Sequence, residues 1–415
     1  MIYSHPSIGA GSQLPADPLY WSRVKILVSA GEDSGDQYAA ALVEALKARR
    51  PEAEFFGCAG TALRAAGVRP VLEAERLAVV GLVEVLTHLP RIYQEFRRVA
   101  VAAERERPDL AILTDSPDFH LRLAKKPAPL GIPIVYLIAP QVWAWRGWRV
   151  RLMRRVVTHL LCIFPFEEAF FRERGVPATY IGHPLVGRVR PLLTRAEFFR
   201  KHRLAPERPL IAVLPGSRRG EAARHLPLLL ETVRELNGWR AMSFVLAASR
   251  STGQAFFVNQ VGGSGIKVIE GETYDVLAHA DLALVASGTA TVEAALLGTP
   301  MVSFYRVHPA TWILGKWFVD VPFFSMVNVL AGRKIVPELI QADFTASRLA
   351  AEARALLEDS NRLQRMRDDL AAVEQRLAGG ERAMERAADV IEEVLRARGP
   401  AKATGTVGKE EVRSL

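Results

Sequence analysis

Short apolar runs alternate with amphipathic helical patterns along most of this 415-residue chain. Such alternation is typical of parallel strands that are connected by helices covering the sheet. The pattern stops in a polar, proline-containing stretch and then begins again. The predicted strands are 24–29, 54–57, 110–114, 132–138, 159–164 and 179–181 before this stretch, and 210–214, 243–247, 266–269, 282–286 and 301–305 after it. The sequence therefore predicts an α/β protein in which two Rossmann-like parallel-sheet domains face each other across a cleft.

The length of the chain supports the same domain plan. At 45.8 kDa it exceeds the size of one ordinary hydrophobic core. The predicted units are a flexible leader at 1–22, an N-terminal Rossmann-like domain at 23–190, a linker at 191–209, a C-terminal Rossmann-like domain at 210–343, amphipathic helices at 344–398 and a flexible tail at 399–415. The last of the helices at 344–398 could cross back and pack against the N-terminal domain.

Charge and cysteine content narrow the class of protein. The formal net charge of +9 favours an anionic partner, which is a nucleic acid, a phosphorylated substrate or an acidic membrane surface. Cys58 and Cys162 lie far apart, and the sequence has neither a CxxC motif nor a histidine-rich cluster. Disulfides and structural zinc are therefore not expected, and a reducing cytoplasm fits. No apolar run approaches the ~20 residues that span a bilayer, and the leader lacks the pattern of a signal peptide.

The segment 286–300 predicts an anion site. A buried strand runs into a Ser-Gly-Thr turn and a short alanine-rich helix, which ends at Gly298. A helix that begins on small residues offers free backbone N–H groups to an anion, and an acid one turn later could reach hydroxyls beside it. A nucleotide carries both groups; the alternative is an ordinary βαβ unit. The residues predicted to bind the nucleotide here are Ser287, Gly288, Thr289, Ala290 and Glu293.

A second small-residue turn follows the strand 210–214. It contains Gly216, Ser217, Arg218 and Arg219, so two guanidinium groups stand where the strand ends. Arginine suits phosphate oxygens because its planar fork donates two parallel hydrogen bonds. The two turns together predict a pyrophosphate cradle, although neither is a Walker A motif or a strict GxGxxG fingerprint.

Carboxylates follow two strands of the first half. Glu32 lies in an acidic Gly-Ser turn, and Asp115 and Asp118 follow the strand 110–114 beside His120. Acids at the carboxyl ends of strands are well placed to contact sugar hydroxyls or to act as a general base. The alternative is that these acids decorate helix N-termini and satisfy backbone N–H groups.

A nearly apolar segment precedes a run of arginines. Its predicted membrane-facing or acyl-binding residues are Leu77, Val79, Val80, Leu82, Val83 and Leu86. A buried helix is the alternative explanation. Three tryptophans and two arginines at 143–149 also suit a membrane interface, but such residues build nucleic-acid sites as well.

Taken together, these segments resemble the lipid-A-disaccharide synthase family of inverting glycosyltransferases. The resemblance covers roughly residues 24–390, in order and at regular spacing. The segments that carry it are 30–36, 77–84, 115–119, 142–146, 164–167, 181–184, 214–219, 286–293 and 327–332. It implies a GT-B architecture and a peripheral enzyme at the cytoplasmic face of the inner membrane.

The implied reaction joins UDP-2,3-diacylglucosamine to 2,3-diacylglucosamine 1-phosphate, which forms a β-1,6-linked disaccharide 1-phosphate and releases UDP. On the nucleotide side, the resemblance makes Glu293 the ribose-binding acid and Arg218 and Arg219 contacts of the diphosphate. Asn328 and Gln341 resemble polar residues that belong to the nucleotide side in this family. Homodimer formation is compatible with the resemblance, and no metal or other cofactor is expected.

On the acceptor side, Glu32 and Asp115 resemble the essential acids of the family. Asp115 is the first choice as general base, with Glu32 and Asp118 behind it. The chain departs from the family pattern at His120, where Asn is expected, and at Asp33, where Ala is expected. A UDP-N-acetylglucosamine 2-epimerase-like enzyme, which holds UDP in the same kind of cleft, and a basic nucleic-acid-binding protein are the alternative functions.

Overall fold

A computed structural model describes most of the chain. The described residues are 24–76, 82–144, 147–249, 252–308, 312, 322–378 and 382–398, with the side chains of 76 and 82–92 left out. The predicted leader and tail, and Leu77, Val79 and Val80, lie outside the described residues. Leu82 and Val83 lie in a helix whose first side chains are not described, as does Leu86.

The first half of the chain forms a seven-stranded parallel sheet in the order β3-β2-β1-β4-β5-β6-β7. Its strands are β1 Lys25–Ala30, β2 Glu54–Ala59, β3 Arg69–Glu73, β4 Leu110–Thr114, β5 Ile134–Leu137, β6 His159–Cys162 and β7 Ala178–Tyr180. Its helices are α1 Asp33–Arg49, α2 Thr61–Ala65, α3 Leu82–Glu106, α4 Pro117–Ala124, α5 Arg149–Val156 and α6 Pro165–Arg172. The central strands are largely apolar because helices cover both faces of a parallel sheet.

The second half forms a six-stranded parallel sheet in the order β10-β9-β8-β11-β12-β13. Its strands are β8 Leu210–Leu214, β9 Ser243–Ala248, β10 Lys267–Glu270, β11 Leu282–Ala286, β12 Met301–Tyr305 and β13 Glu338–Ile340. The helices of this half are α8 Arg219–Trp239, α9 Gln254–Val261, α10 Thr273–His279, α11 Thr289–Leu296 and α12 Met326–Ala331. The two sheets confirm the predicted pair of Rossmann-like folds.

Two edge strands and one helix were not expected. β3 reads Arg-Pro-Val-Leu-Glu and β13 has three residues, so neither shows the long apolar run of a central strand. The predicted linker 191–209 contains helix α7, Arg195–Lys201, whose Thr194 side chain accepts the N–H of Glu197 at 3.3 Å. Phe198 and Phe199 of this helix are buried, so the connection between the two sheets is packed.

Three helices end the described chain: α13 Ala346–Glu358, α14 Ser360–Leu377 and α15 Ala383–Arg398. The Asp359 carboxylate accepts the backbone N–H of Arg362 at 2.9 Å and separates the first two. The last helix packs against α1, where Arg49 bonds its Glu385 and Asp389, each at 2.6 Å. The carboxyl-terminal helix therefore lies on the N-terminal sheet unit.

Both cysteines are buried thiols. Among the described helices, none has the combination of length and apolar character that crossing a bilayer requires.

Candidate active site

The carboxyl ends of β1 and β4 bring the first set of acids together. Asp115 follows β4 in the left-handed region, with φ of 54°. Its carboxylate accepts the backbone N–H of Gly31 at 3.0 Å and of Glu32 at 3.1 Å. A Cβ on Gly35 would stand 1.8 Å from Asp115 Oδ2, so only glycine fits there. The glycines of the acidic turn therefore make room for Asp115.

The main chain of Asp115 is held by a buried polar network. Its carbonyl accepts the Tyr136 hydroxyl at 2.5 Å and His120 Nδ1–H at 3.0 Å. His120 Nε2 lies 2.8 Å from the Ser29 hydroxyl, which donates to it. Burial lowers the pKa of His120 to about 4, so the imidazole is neutral at physiological pH. His120 therefore fixes the conformation of Asp115 and is not itself positioned as an acid or base.

The Asp115 carboxyl titrates close to neutrality. Burial raises its pKa to about 7, and the Glu32 charge acts in the same direction. The hydrogen bonds from the Glu32 and Gly31 backbone and from Ser116 oppose that rise. A carboxylate with a pKa near the working pH combines basicity with a deprotonated fraction large enough for general-base catalysis.

The other acids of the first half have different roles. Asp118 is exposed and ion-paired with the guanidinium of Arg149, which is buried. As a candidate base it is therefore less suitable than Asp115. Asp36 is buried and accepts the N–H groups of Gly60 and Ala62, each at 2.7 Å, so it caps helix α2.

The predicted anion site lies at the start of α11. No atom of the residues that the structure describes stands within 4 Å of the position that a Cβ on Gly288 would take. The Ser287 hydroxyl donates to the Phe324 carbonyl at 2.9 Å, and the Thr291 hydroxyl donates to the Gly288 carbonyl at 2.7 Å. Both hydroxyls serve the turn itself. The N–H groups of the first helical residues, Thr289 and Ala290, are therefore the donors that this turn presents to an anion.

Glu293 is partly buried between the two sheet units. Burial raises its pKa to about 7. Burial and then the charge of Glu293 raise the pKa of Tyr38, which belongs to α1, and of Tyr274. Among the described residues, no hydrogen bond to the Glu293 carboxylate is recorded. Its carboxylate is thus desolvated beside phenols of both halves of the chain and can accept hydrogen bonds from a ligand.

The two arginines of the second turn diverge. Arg218 Nη2 lies 3.2 Å from Glu32 Oε2, so this side chain reaches across to the first half. The Arg219 guanidinium instead lies over the Phe256 ring, 4.9 Å from its centroid. The predicted diphosphate contact of Arg219 is therefore not supported by its position, because the stacked guanidinium lies on α9.

The side chain of Glu221 packs against Gly216 in the second turn. Gly216 has φ of 118°, and a Cβ there would lie 2.6 Å from the Glu221 carboxyl. The Ser217 carbonyl accepts hydroxyls of Ser249 at 3.1 Å and Thr252 at 2.8 Å. Gly216 and Ser217 therefore shape the turn that presents Arg218.

Asn328 makes its hydrogen bonds inside the protein. It is fully buried, and its Oδ1 accepts the N–H groups of Ile335 at 2.7 Å and Val336 at 2.9 Å. Its Nδ2 donates to the Val336 carbonyl at 3.0 Å and to Glu338 Oε1 at 2.8 Å. The side-chain amide has two donors and one acceptor oxygen, and all are engaged. Asn328 fastens α12 to β13, so this geometry does not favour the predicted contact of its amide with a nucleotide.

The side-chain amide of Gln341, unlike that of Asn328, is not fully hydrogen-bonded. Gln341 follows β13 in the left-handed region, with φ of 55°. Its carbonyl is held by Arg306 Nη2 at 3.0 Å, while its buried side-chain Nε2 has no hydrogen-bond partner within the described part of the chain. A buried amide without a partner costs free energy, and a ligand carbonyl would remove that cost.

Sequence reasoning missed Tyr136 and Tyr38. Tyr136 is a phenol within a short apolar strand, and its hydroxyl must find a partner when buried; that pattern was the available signal. Tyr38 gave no comparable signal, because a tyrosine in a helix is common. Among the described residues, no group of three or more His, Cys, Asp and Glu side chains could hold a metal ion.

Comparison with known proteins identifies the family. The protein-family model described as "LpxB: Lipid-A-disaccharide synthetase" matches residues 26–393. The lipid-A-disaccharide synthase of Solibacter usitatus is 60% identical over 371 residues, which cover 89% of this chain and 97% of that protein. The Myxococcus xanthus synthase is 43% identical over 374 residues, again 89% of this chain and 97% of that protein.

Solved structures show the same architecture at low identity. The Staphylococcus aureus MnaA–UDP structure superposes with a TM-score of 0.63 at 13% identity and covers 90% of this chain and 97% of that one. The calicheamicin glycosyltransferase CalG4 superposes with a TM-score of 0.56 at 20% identity and covers 91% of this chain and 100% of that one. Identities this low establish only the fold, which is of the GT-B type. The family match over most of the chain settles the assignment: this protein belongs to the lipid-A-disaccharide synthase family.

Proposed function

We propose that this protein transfers 2,3-diacylglucosamine from its UDP derivative to the 6-hydroxyl of 2,3-diacylglucosamine 1-phosphate. The products are the β-1,6-linked lipid A disaccharide 1-phosphate and UDP. The observation that carries this proposal is the 3.2 Å contact between Arg218 and Glu32. It brings the predicted diphosphate ligand of the C-terminal sheet to the acidic turn of the N-terminal sheet.

The geometry supports a single inverting displacement. Asp115 takes the proton of the acceptor hydroxyl, whose oxygen forms the new bond to the anomeric carbon. The bond from that carbon to the diphosphate oxygen breaks, and UDP leaves with the electron pair. Arg218 and the N-terminus of α11 stabilise the negative charge that develops on the diphosphate. Glu293 accepts hydrogen bonds from the ribose hydroxyls.

An assay with radiolabelled UDP-2,3-diacylglucosamine tests the function. Labelled disaccharide 1-phosphate should form only when the acylated sugar 1-phosphate is also present. Epimerisation of UDP-N-acetylglucosamine without any transfer would favour the epimerase alternative. Salt-sensitive oligonucleotide binding that UDP does not displace would favour the nucleic-acid alternative.

We expect turnover to be insensitive to EDTA. Arg218 and the α11 N-terminus supply positive charge where other enzymes of this chemistry use a divalent cation. Initial rates are measured after dialysis against EDTA and again after addition of Mg²⁺. A strict requirement for Mg²⁺ would contradict this assignment of the charge.

The proposed substrates carry acyl chains, so the protein must work at a membrane surface. Each buried CH₂ group stabilises by about 0.8 kcal/mol, which keeps a multiply acylated sugar in the bilayer. The described part of α3 contributes to a groove of about 550 Å³ whose lining includes Arg69, Arg97, Arg98 and Arg105. Val101 in the same groove is 52% exposed. Basic and apolar groups together suit the cytoplasmic face of an inner membrane.

Val80→Asp or Leu82→Asp should release the protein from anionic vesicles without unfolding it. A carboxylate in an apolar docking segment opposes both burial and attraction to anionic lipid. Vesicle flotation measures the bound fraction, and the melting temperature reports folding. Val258→Asp, at a 48% exposed position on α9, is the matched control. Unchanged flotation of the first two variants would contradict the docking surface.

A further inference from the structure

The contact between Glu32 and Arg218 joins two residues with opposed tasks. Glu32 precedes the first turn of α1, and Arg218 precedes the first turn of α8. Their side chains are 47% and 68% exposed, and the oxygen–nitrogen distance is 3.2 Å. One is a candidate acceptor-side acid, and the other is the proposed diphosphate ligand.

We propose that Arg218 holds Glu32 in the ligand-free enzyme, and that the diphosphate of the sugar donor displaces Glu32 and thereby releases it to the acceptor. The inference rests on the proposed function, because it takes Arg218 as the diphosphate ligand. Arg218 then has two roles, first as the partner of Glu32 and later as the partner of the leaving group.

Breaking the contact between Arg218 and Glu32 costs little free energy. Exposed ion pairs contribute little to stability, about 0–1 kcal/mol. A diphosphate offers the guanidinium fork several oxygens and more negative charge than one carboxylate. Both partners are exposed, so displacement of Glu32 requires no repacking of either sheet unit.

The release of Glu32 also affects its neighbour. The negative charge of Glu32 acts with burial to raise the pKa of Asp115. Arg218 neutralises part of the Glu32 charge while the contact lasts. A released Glu32 therefore makes Asp115 a stronger base. The expected kinetic order is donor before acceptor.

Calorimetric titration with UDP tests the exchange. Glu32→Gln removes the competitor of the diphosphate, so we expect UDP to bind roughly two- to fivefold more tightly at low ionic strength, which corresponds to an exposed ion pair. Asp33→Asn is the matched control, since it removes the same charge at the adjacent exposed position. Weaker or unchanged binding by Glu32→Gln, or an equal gain in Asp33→Asn, would overturn the proposal.

A second background separates direct contact from general repulsion. In an Arg218→Ala protein of unchanged melting temperature, Glu32→Gln should no longer tighten UDP binding. The same gain in that background would show a long-range charge effect and refute the exchange.

Failure of the exchange and failure of the proposed function give different results. If wild-type protein makes the disaccharide but Glu32→Gln binds UDP no more tightly, the exchange is wrong and the function stands. If UDP binding changes as expected but no transfer occurs, the exchange stands and the acceptor assignment is wrong.

Discussion

Asp115→Asn should lower kcat by about 10²- to 10⁴-fold, the range that a positioned general base contributes. The amide oxygen can still accept a backbone N–H from the acidic turn, so the turn should persist. The affinity for UDP should stay within a few-fold of wild type, because the proposed nucleotide contacts lie on the C-terminal sheet. Single-turnover rates and UDP titrations measure the two effects separately.

The pH dependence gives an independent check. A base must be deprotonated, and burial raises the pKa of Asp115 to about 7. The single-turnover rate of wild-type protein at saturating substrates should therefore rise as the pH increases through about 7, or through a higher value once bound donor has released Glu32, and then level off; Asp115→Asn should lose this limb. An Asp115→Asn protein with wild-type turnover would exclude Asp115 as the base. Asp33→Asn, at an exposed neighbouring acid, controls for the change in local charge.

The central strands and the turns after them could be predicted because their signals are local. An apolar run such as Leu110–Thr114 is buried on both faces wherever it lies in a parallel sheet. Small residues after β8 and β11 likewise indicate tight turns. Edge strands such as β3 lack this signal, since one side of an edge strand stays exposed.

The roles of individual polar residues depend on partners that are distant in sequence. Asp115 and Asp118 look equivalent in the sequence, but the glycines of the acidic turn surround the first and Arg149 pairs with the second. Arg218 and Arg219 are adjacent, and only the fold shows that Arg219 turns toward Phe256. Sequence patterns located both clusters but could not rank their members.

Glu293→Gln should weaken UDP binding by about 10- to 100-fold above pH 7, because hydrogen bonds to a charged acceptor contribute about 1.5–3 kcal/mol. Burial raises the pKa of Glu293 to about 7. The ionised form is the better acceptor for ribose hydroxyls, so wild-type affinity should increase as the pH rises toward 7 and reach a plateau above it. Titrations with UDP between pH 5.5 and 8.5, spanning about 1.5 units on each side of this pKa, measure the effect.

The phosphate of UDP also titrates, with a second pKa of about 6, so wild-type data alone do not identify the group. The ratio of wild-type to Glu293→Gln affinity cancels the phosphate and reports the Glu293 carboxyl. That ratio should fall toward one as the pH decreases below 7, because a protonated carboxyl resembles the amide. Glu231→Gln, at an exposed acid of α8, should give a ratio near one at every pH. A Glu293→Gln ratio that does not vary with pH would mean that this carboxyl does not bind the ribose as an anion, and the nucleotide would have to be placed elsewhere in the cleft.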